Sequence, residues 1–213
     1  MKKLLMLVAL VATLGISAAA ESPIKLSLYD NIAWPETNKA NIVLGLIDSN
    51  TPTVKGVALT IGSTRVDDLT GLSWAWIYTR TNHLTGVQWG GLYHVTNDAT
   101  GVTGGFVNHN KGNLTGVQFG FVNIAKNFTG VEWGAVNVAK DFTGAQLGLV
   151  NVANNVKGAQ LGYLFNYAEN LTGLQLALVN YTKRIDKGLQ IGLVNIINNN
   201  GWLPIMVIVN GRF

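Results

Sequence analysis

The chain has 213 residues, with 15 basic and 11 acidic side chains, 25 glycines and no cysteine. The missing cysteines exclude a disulfide framework, thiol catalysis, lipidation at a cysteine and cysteine-ligated metal. The charges form no cluster of the kind a nucleic-acid footprint requires. Beyond residue 20 no apolar run reaches transmembrane-helix length, so a membrane role points to a β-barrel.

Residues 1–20 read as a secretory signal peptide. Lys2 and Lys3 precede the apolar run Leu4–Ile16, the small residues Ser17-Ala18-Ala19-Ala20 follow, and Glu21 begins the expected mature chain. Without Lys2 and Lys3, 13 basic residues face 11 acidic ones, a net charge of +2. Residues 21–55 carry the alternating segment Ile24–Tyr29, a loop through Pro35 and the apolar segment Ile42–Ile47. They read as N-terminal capping strands and a loop.

Residues 56–197 form ten tandem units. One glycine recurs at 56, 71, 86, 101, 116, 130, 144, 158, 173 and 188, in steps of 15, 15, 15, 15, 14, 14, 14, 15 and 15. Apolar residues stand one, three and five positions after this anchor glycine, as at Val117, Phe119 and Phe121. Between them lie a polar slot, filled by Gln88, Gln118, Gln146, Gln160, Gln175 and Gln190, and a second small slot, usually glycine. A period of two predicts strands with one face buried, and the apolar columns are the expected core. Each unit closes on asparagine (Asn108, Asn123, Asn137, Asn151, Asn180, Asn195), followed by a turn-rich linker such as Ala153-Asn154-Asn155. In the early units Ala58, Ser73 and Thr103 stand at the Gln slot, and Tyr78 and Tyr93 are read at the Asn slot. Residues 198–213, with Pro204 and the run to Phe213, read as a C-terminal closing strand.

The mature chain is therefore expected to be all-β. Stacked as a narrow β-solenoid, equivalent slots would sit about 4.8 Å apart, and Gln over Gln and Asn over Asn would form amide ladders. An antiparallel meander closed as an outer-membrane barrel is the alternative, with apolar residues facing lipid, and a sandwich-like meander is a third. The linkers are of nearly equal length, and repeated amides coincide only in a parallel stack, which favours the solenoid.

The units Thr-Gly-Val-Gln-Phe-Gly-Phe-Val-Asn (115–123) and Lys-Gly-Leu-Gln-Ile-Gly-Leu-Val-Asn (187–195) resemble the bacterial surface-repeat family first noted in leptospiral surface proteins. Its members carry tandem G-x-Q-x-G-x-x-N units behind a signal peptide, and many end in a Pro-containing strand finishing with Phe. The likeness covers residues 56–213. It implies an exported or surface location, and it carries no established activity or ligand.

Groups able to do chemistry are sparse. His94 and His109 each lie eight residues after an anchor glycine, so in a solenoid they would fall on adjacent coils, at solvated strand ends or sharing a metal. His83 stands apart. Asp67-Asp68 reads as a turn pair, and Glu132 as a carboxylate replacing glutamine in one rung. Trp74, Trp89 and Trp133 share the slot three after the anchor, with Trp76 two further on. Facing inward they are core; facing outward they form a stripe of rings able to stack on glycans or anchor in a membrane interface. The Asn-x-Thr triplets at 113, 127 and 170 arise from the repeat itself.

The expectation is an exported, non-enzymatic protein without cofactor or metal, structural or adhesive at the bacterial cell surface, outer membrane or periplasm. Its partner would be an envelope component, a glycan or a host surface molecule, not a nucleic acid.

Overall fold

The computed structural model describes residues 21–213. The signal-peptide segment, 1–20, lies outside the described residues. Strands cover 85% of the structure and no helix is present among the described residues, so the fold is a β-solenoid of about 11 turns with coils of about 15 residues.

The strands are β1 (Ser22–Tyr29), β2 (Ile32–Trp34), β3 (Lys39–Gly45), β4 (Asp48–Thr60), β5 (Ser63–Ala75) and β6 (Tyr78–Gly90). They continue as β7 (Tyr93–Gly104), β8 (Val107–Phe119), β9 (Val122–Trp133), β10 (Val136–Leu176), β11 (Val179–Asn199) and β12 (Ile205–Arg212). They join in one linear order, β12-β11-β10-β9-β8-β7-β6-β5-β4-β3-β1-β2. All pairs from β3 to β11 are parallel. The antiparallel barrel and meander do not hold. Anchor glycine lies on anchor glycine throughout, for example Gly71↔Gly86 and Gly116↔Gly130.

The anchors must be glycine for two reasons. Their φ values, +131° to +148°, lie where L side chains rarely go. From Gly71 onward, a Cβ at an anchor would also sit 1.9–2.1 Å from the preceding anchor's carbonyl oxygen.

Unequal steps are absorbed in two places. One is the polar linker, where the register shifts between Asn110 and Asn113. The other is the bend after the Gln slot, which has one more residue in the early coils, so that Trp76-Ile77 precedes Tyr78 where Phe106 alone precedes Val107.

The expected core is inverted. The alternation is present, but the columns one, three and five after the anchor face outward. Phe121, Trp133 and Leu193 are exposed, whereas Gln88, Gln118, Gln146, Gln160, Gln175 and Gln190 are fully buried. The apolar core comes instead from a column two residues before the anchor (Leu69, Leu84, Leu114, Phe128, Phe142, Leu171), continued by Ile185, three before its anchor because the register shifts there, and from alanines at 125, 139, 153 and 168. A coil of 14 or 15 residues encloses a lumen too narrow for three columns of large side chains. Small residues, amides and a single large apolar column fill it.

The ends are covered. At the N-terminal end β1 pairs parallel with β3 while β2 pairs antiparallel on β1; at the other end β12 returns antiparallel on β11. These terminal strands cover unpaired sheet edges that would otherwise template aggregation. The segment 39–55, expected as a cap, already follows the coil path, with Val43 stacked on Ala58 and Leu44 on Leu59. Lys25 stands beside Val43 at the head of the Gln column, and its buried Nζ donates to the carbonyls of Thr37 (3.2 Å) and Asn50 (2.6 Å). Burial lowers its pKa. Arg65 ties the same end together through ion pairs to Asp30 and Asp48.

Candidate functional site

Two amide ladders occupy the lumen. Asn108, Asn123, Asn137, Asn151, Asn166, Asn180 and Asn195 are fully buried. From Asn108 to Asn180 each Nδ2 donates to the Oδ1 of the next asparagine toward the C-terminus, over 2.8–3.0 Å. Five of these amides (Asn108, Asn123, Asn137, Asn166 and Asn180) also donate to a backbone carbonyl of the following coil, as from Asn137 to Leu147 (2.9 Å) and from Asn180 to Ile191 (2.8 Å). The second small slot is glycine because that amide fills the space: a Cβ on Gly120 would lie 2.2 Å from Asn108 Nδ2, and one on Gly148 2.8 Å from Asn137 Nδ2.

The Gln ladder runs the opposite way. Gln160 donates to Gln146 (2.9 Å), Gln175 to Gln160 (2.7 Å) and Gln190 to Gln175 (2.8 Å), and Gln146 donates to Glu132 Oε2 at 2.7 Å. There the ladder stops. No hydrogen bond joins residue 132 to Gln118, and Glu132 Oε1 is itself without a partner. Gln118 and Gln88 are buried in the same column with no partner for either amide atom, next to the short side chains Ser73 and Thr103. Burial outweighs the hydrogen bond from Gln146 and raises the Glu132 pKa to about 8.

Three sequence assignments are corrected. Tyr78 and Tyr93 do not hold the Asn column; Thr79 and His94 do, through the pairs Thr79↔His94 and His94↔Asn108. The extra residue in the early bends moves the column by one. His94 and His109 are therefore not equivalent, and they share no metal: His94 is fully buried, with Nδ1 2.7 Å from Thr79 Oγ1, while His109 faces outward with Nδ1 3.2 Å from the Tyr93 hydroxyl. Burial alone drives the His94 pKa down to about 3. Asn166, absent from the expected ladder, belongs to it; its unit carries one more residue in the bend, Tyr163-Leu164.

A further amide row, missed in the sequence, lies outside on the linker edge. Asn82 donates to Asp67 (2.7 Å), Asn97 to Asn82 (3.0 Å), Asn155 to Asp141 (2.5 Å) and Asn170 to Asn155 (2.8 Å). Its signal was the Asn or Asp recurring three or four residues before the anchors from Gly71 to Gly173. Asp67 thus acts as a ladder end rather than an acid–base group.

Of the tryptophans, Trp74 is half-buried, edge-on to Trp76 at 5.1 Å, and Trp76, Trp89 and Trp133 are exposed. Trp74 and Trp89 are register partners, and Trp89 covers Gly104, where a Cβ would meet its ring at 2.3 Å. Phe119 and Trp133 continue the column, with ring centroids 6.0 Å apart. The rings therefore line the outer face, and the core reading of them does not hold.

Among the described residues no three His, Asp or Glu side chains come together as a metal site. A shallow depression on the linker edge holds His83 and Asp98, 3.9 Å apart, beside Thr85, Thr100 and Asn113. No nucleophile–base pair forms there.

The chain is thus a tandem-repeat β-solenoid with a polar lumen and an apolar, partly aromatic exterior. Comparisons with family models, with curated proteins and with solved structures give no match to it.

Proposed function

We propose that the protein is an exported, non-enzymatic repeat protein with a structural or adhesive role at the bacterial envelope or cell surface. The observation that supports this best is the outer face: rows of exposed Trp, Phe, Tyr and Leu, held by a stack whose asparagine ladder and C-terminal glutamine ladder are turned inward. Soluble monomers rarely display so extended an apolar surface unless something covers it. The signal-peptide pattern at 1–20 and the resemblance to the leptospiral-type surface-repeat family support export.

The test is cell fractionation followed by protease shaving of intact cells. The expected outcome is a processed chain beginning near Glu21 in the envelope fraction. Recovery of an unprocessed chain in the cytoplasm would overturn the proposal.

A further inference from the structure

The repeat sorts charge by position. Between residues 56 and 197 every exposed Lys, Arg, Asp and Glu lies within the six residues before an anchor glycine. The seven residues after each anchor contain none, and Glu132, the one acidic or basic side chain there, points into the lumen. Two adjoining outer faces are free of Lys, Arg, Asp and Glu from Tyr93 onward, one carrying the columns one and three after the anchor, the other beginning with Val122, Val136 and Val150; in the two coils before Tyr93, Arg65 and Arg80 stand on the second face, in the column that Ile124 and Val138 continue. They meet at a corner formed by Phe106, Phe121, Leu149, Leu178 and Leu193, each 44–66% exposed. Phe106 and Phe121 stack there at 5.1 Å, nearly parallel.

The backbone under this corner is paired from coil to coil, as in Phe121 N–H to Phe106 O (2.9 Å) and Leu149 N–H to Ala135 O (2.9 Å). The corner therefore offers apolar side chains and few free backbone groups, which is what a medium without hydrogen-bonding partners requires.

The shape selects among occupants. About 11 coils at about 4.8 Å give an axis of roughly 50 Å, so a face about 10 Å wide amounts to roughly 500 Å². A second copy packed flat would cover one such face, short of the about 800 Å² per partner of a stable interface, and would leave the corner bare. A glycan would need several polar side chains beside the rings, yet the Gln and Asn of these seven-residue stretches point into the lumen, and only Ser63 and the tyrosines at 78, 93 and 163 turn a hydroxyl outward. A fluid acyl layer covers both faces and the corner at once.

We propose that the corner and its two flanking faces insert into one leaflet of a lipid membrane. The solenoid axis lies along the surface, and the Lys-, Asp- and Asn-bearing linker edge stays in water. The exposed tryptophans beside the corner suit the boundary between acyl chains and headgroups. This rests on the envelope reading only for bringing the chain within reach of lipid.

The test is flotation of the purified protein with vesicles of phosphatidylcholine alone and of phosphatidylethanolamine with phosphatidylglycerol. Tryptophan quenching by spin-labelled acyl chains is read in parallel. Binding to both vesicle types, with quenching, is expected. Phe121→Lys with Leu149→Lys should lower vesicle affinity on the order of a hundredfold, since two apolar side chains lose their burial. Phe121→Gln with Leu149→Gln serves as the milder pair, and Lys126→Ala with Lys140→Ala as the control expected to bind as before.

Equal binding by the corner variants overturns the inference, as does binding confined to anionic vesicles and abolished by salt. So does a soluble dimer that sediments as such and ignores vesicles. An envelope-located protein that fails to float overturns the lipid inference alone. A cytoplasmic protein that floats overturns only the envelope reading.

Discussion

Glu132 and His94 show how one residue disturbs a column otherwise filled by amides. Glu132 accepts from Gln146 and ends the Gln ladder, leaving Gln118 unpartnered in the lumen. Its pKa rises from an ordinary 4.5 to about 8, so the folded chain holds a proton that the unfolded chain releases. Stability should fall as pH rises from about 4.5 to about 8 and then level off. His94 acts in the opposite sense: its pKa drops from 6.5 to about 3, so folding excludes a proton and stability falls as pH drops from 6.5 toward 3. Urea midpoints measured across pH should trace a curve sloping on both sides. Glu132→Gln should flatten the alkaline side by a few kcal/mol, at about 1.4 kcal/mol per pKa unit, and His94→Asn the acid side. Unchanged slopes in both variants would refute these assignments.

At the scale of the coil, two contacts fix the path. The anchor glycine lets the backbone pass close to the coil before it, and the asparagine amide braces the bend by reaching a carbonyl of the coil after it. Gly144→Ala meets both an unfavourable φ of +131° and the Gly130 carbonyl at 2.0 Å. It should cost about 2–4 kcal/mol, seen as a lower melting temperature by circular dichroism. Thr143→Ala, one residue earlier and exposed, should stay within about 0.5 kcal/mol. Comparable losses in the two variants would mean that the close approach is not what the glycine serves.

For the whole molecule, each coil contacts chiefly its neighbours, so stability is close to a sum of repeat and interface contributions. Removing one full unit, residues 131–144, joins Gly130 to Ala145 and brings every column back into register. That deletion should leave a folded, shorter solenoid with a strand-type circular dichroism spectrum and a cooperative melt. Removing half a unit, residues 131–137, places lumen residues outside and should unfold the coils around it. If both deletions behave alike, the stack is not organised column by column.

The sequence alone determined the repeat length and the strands, and it favoured over an antiparallel barrel the parallel stack that sets Asn on Asn and Gln on Gln, because identical side chains at fixed intervals satisfy one another only when identical coils are piled in order. It did not decide which side of the strand faces in. A period of two fixes alternation without its sign, and the usual preference for burying large apolar residues pointed the wrong way. The contrary signal was present in Leu69, Leu84, Leu114, Phe128 and Phe142, two residues before the anchors and of the same parity as the glutamines. Only the tertiary structure settled the matter, since lumen width and the reach of each amide to a partner 14 or 15 residues away are properties of the closed coil. It also decided that Thr79 and His94, not the tyrosines before them, fill the Asn column, because a bend can take up one residue without moving the strands on either side of it.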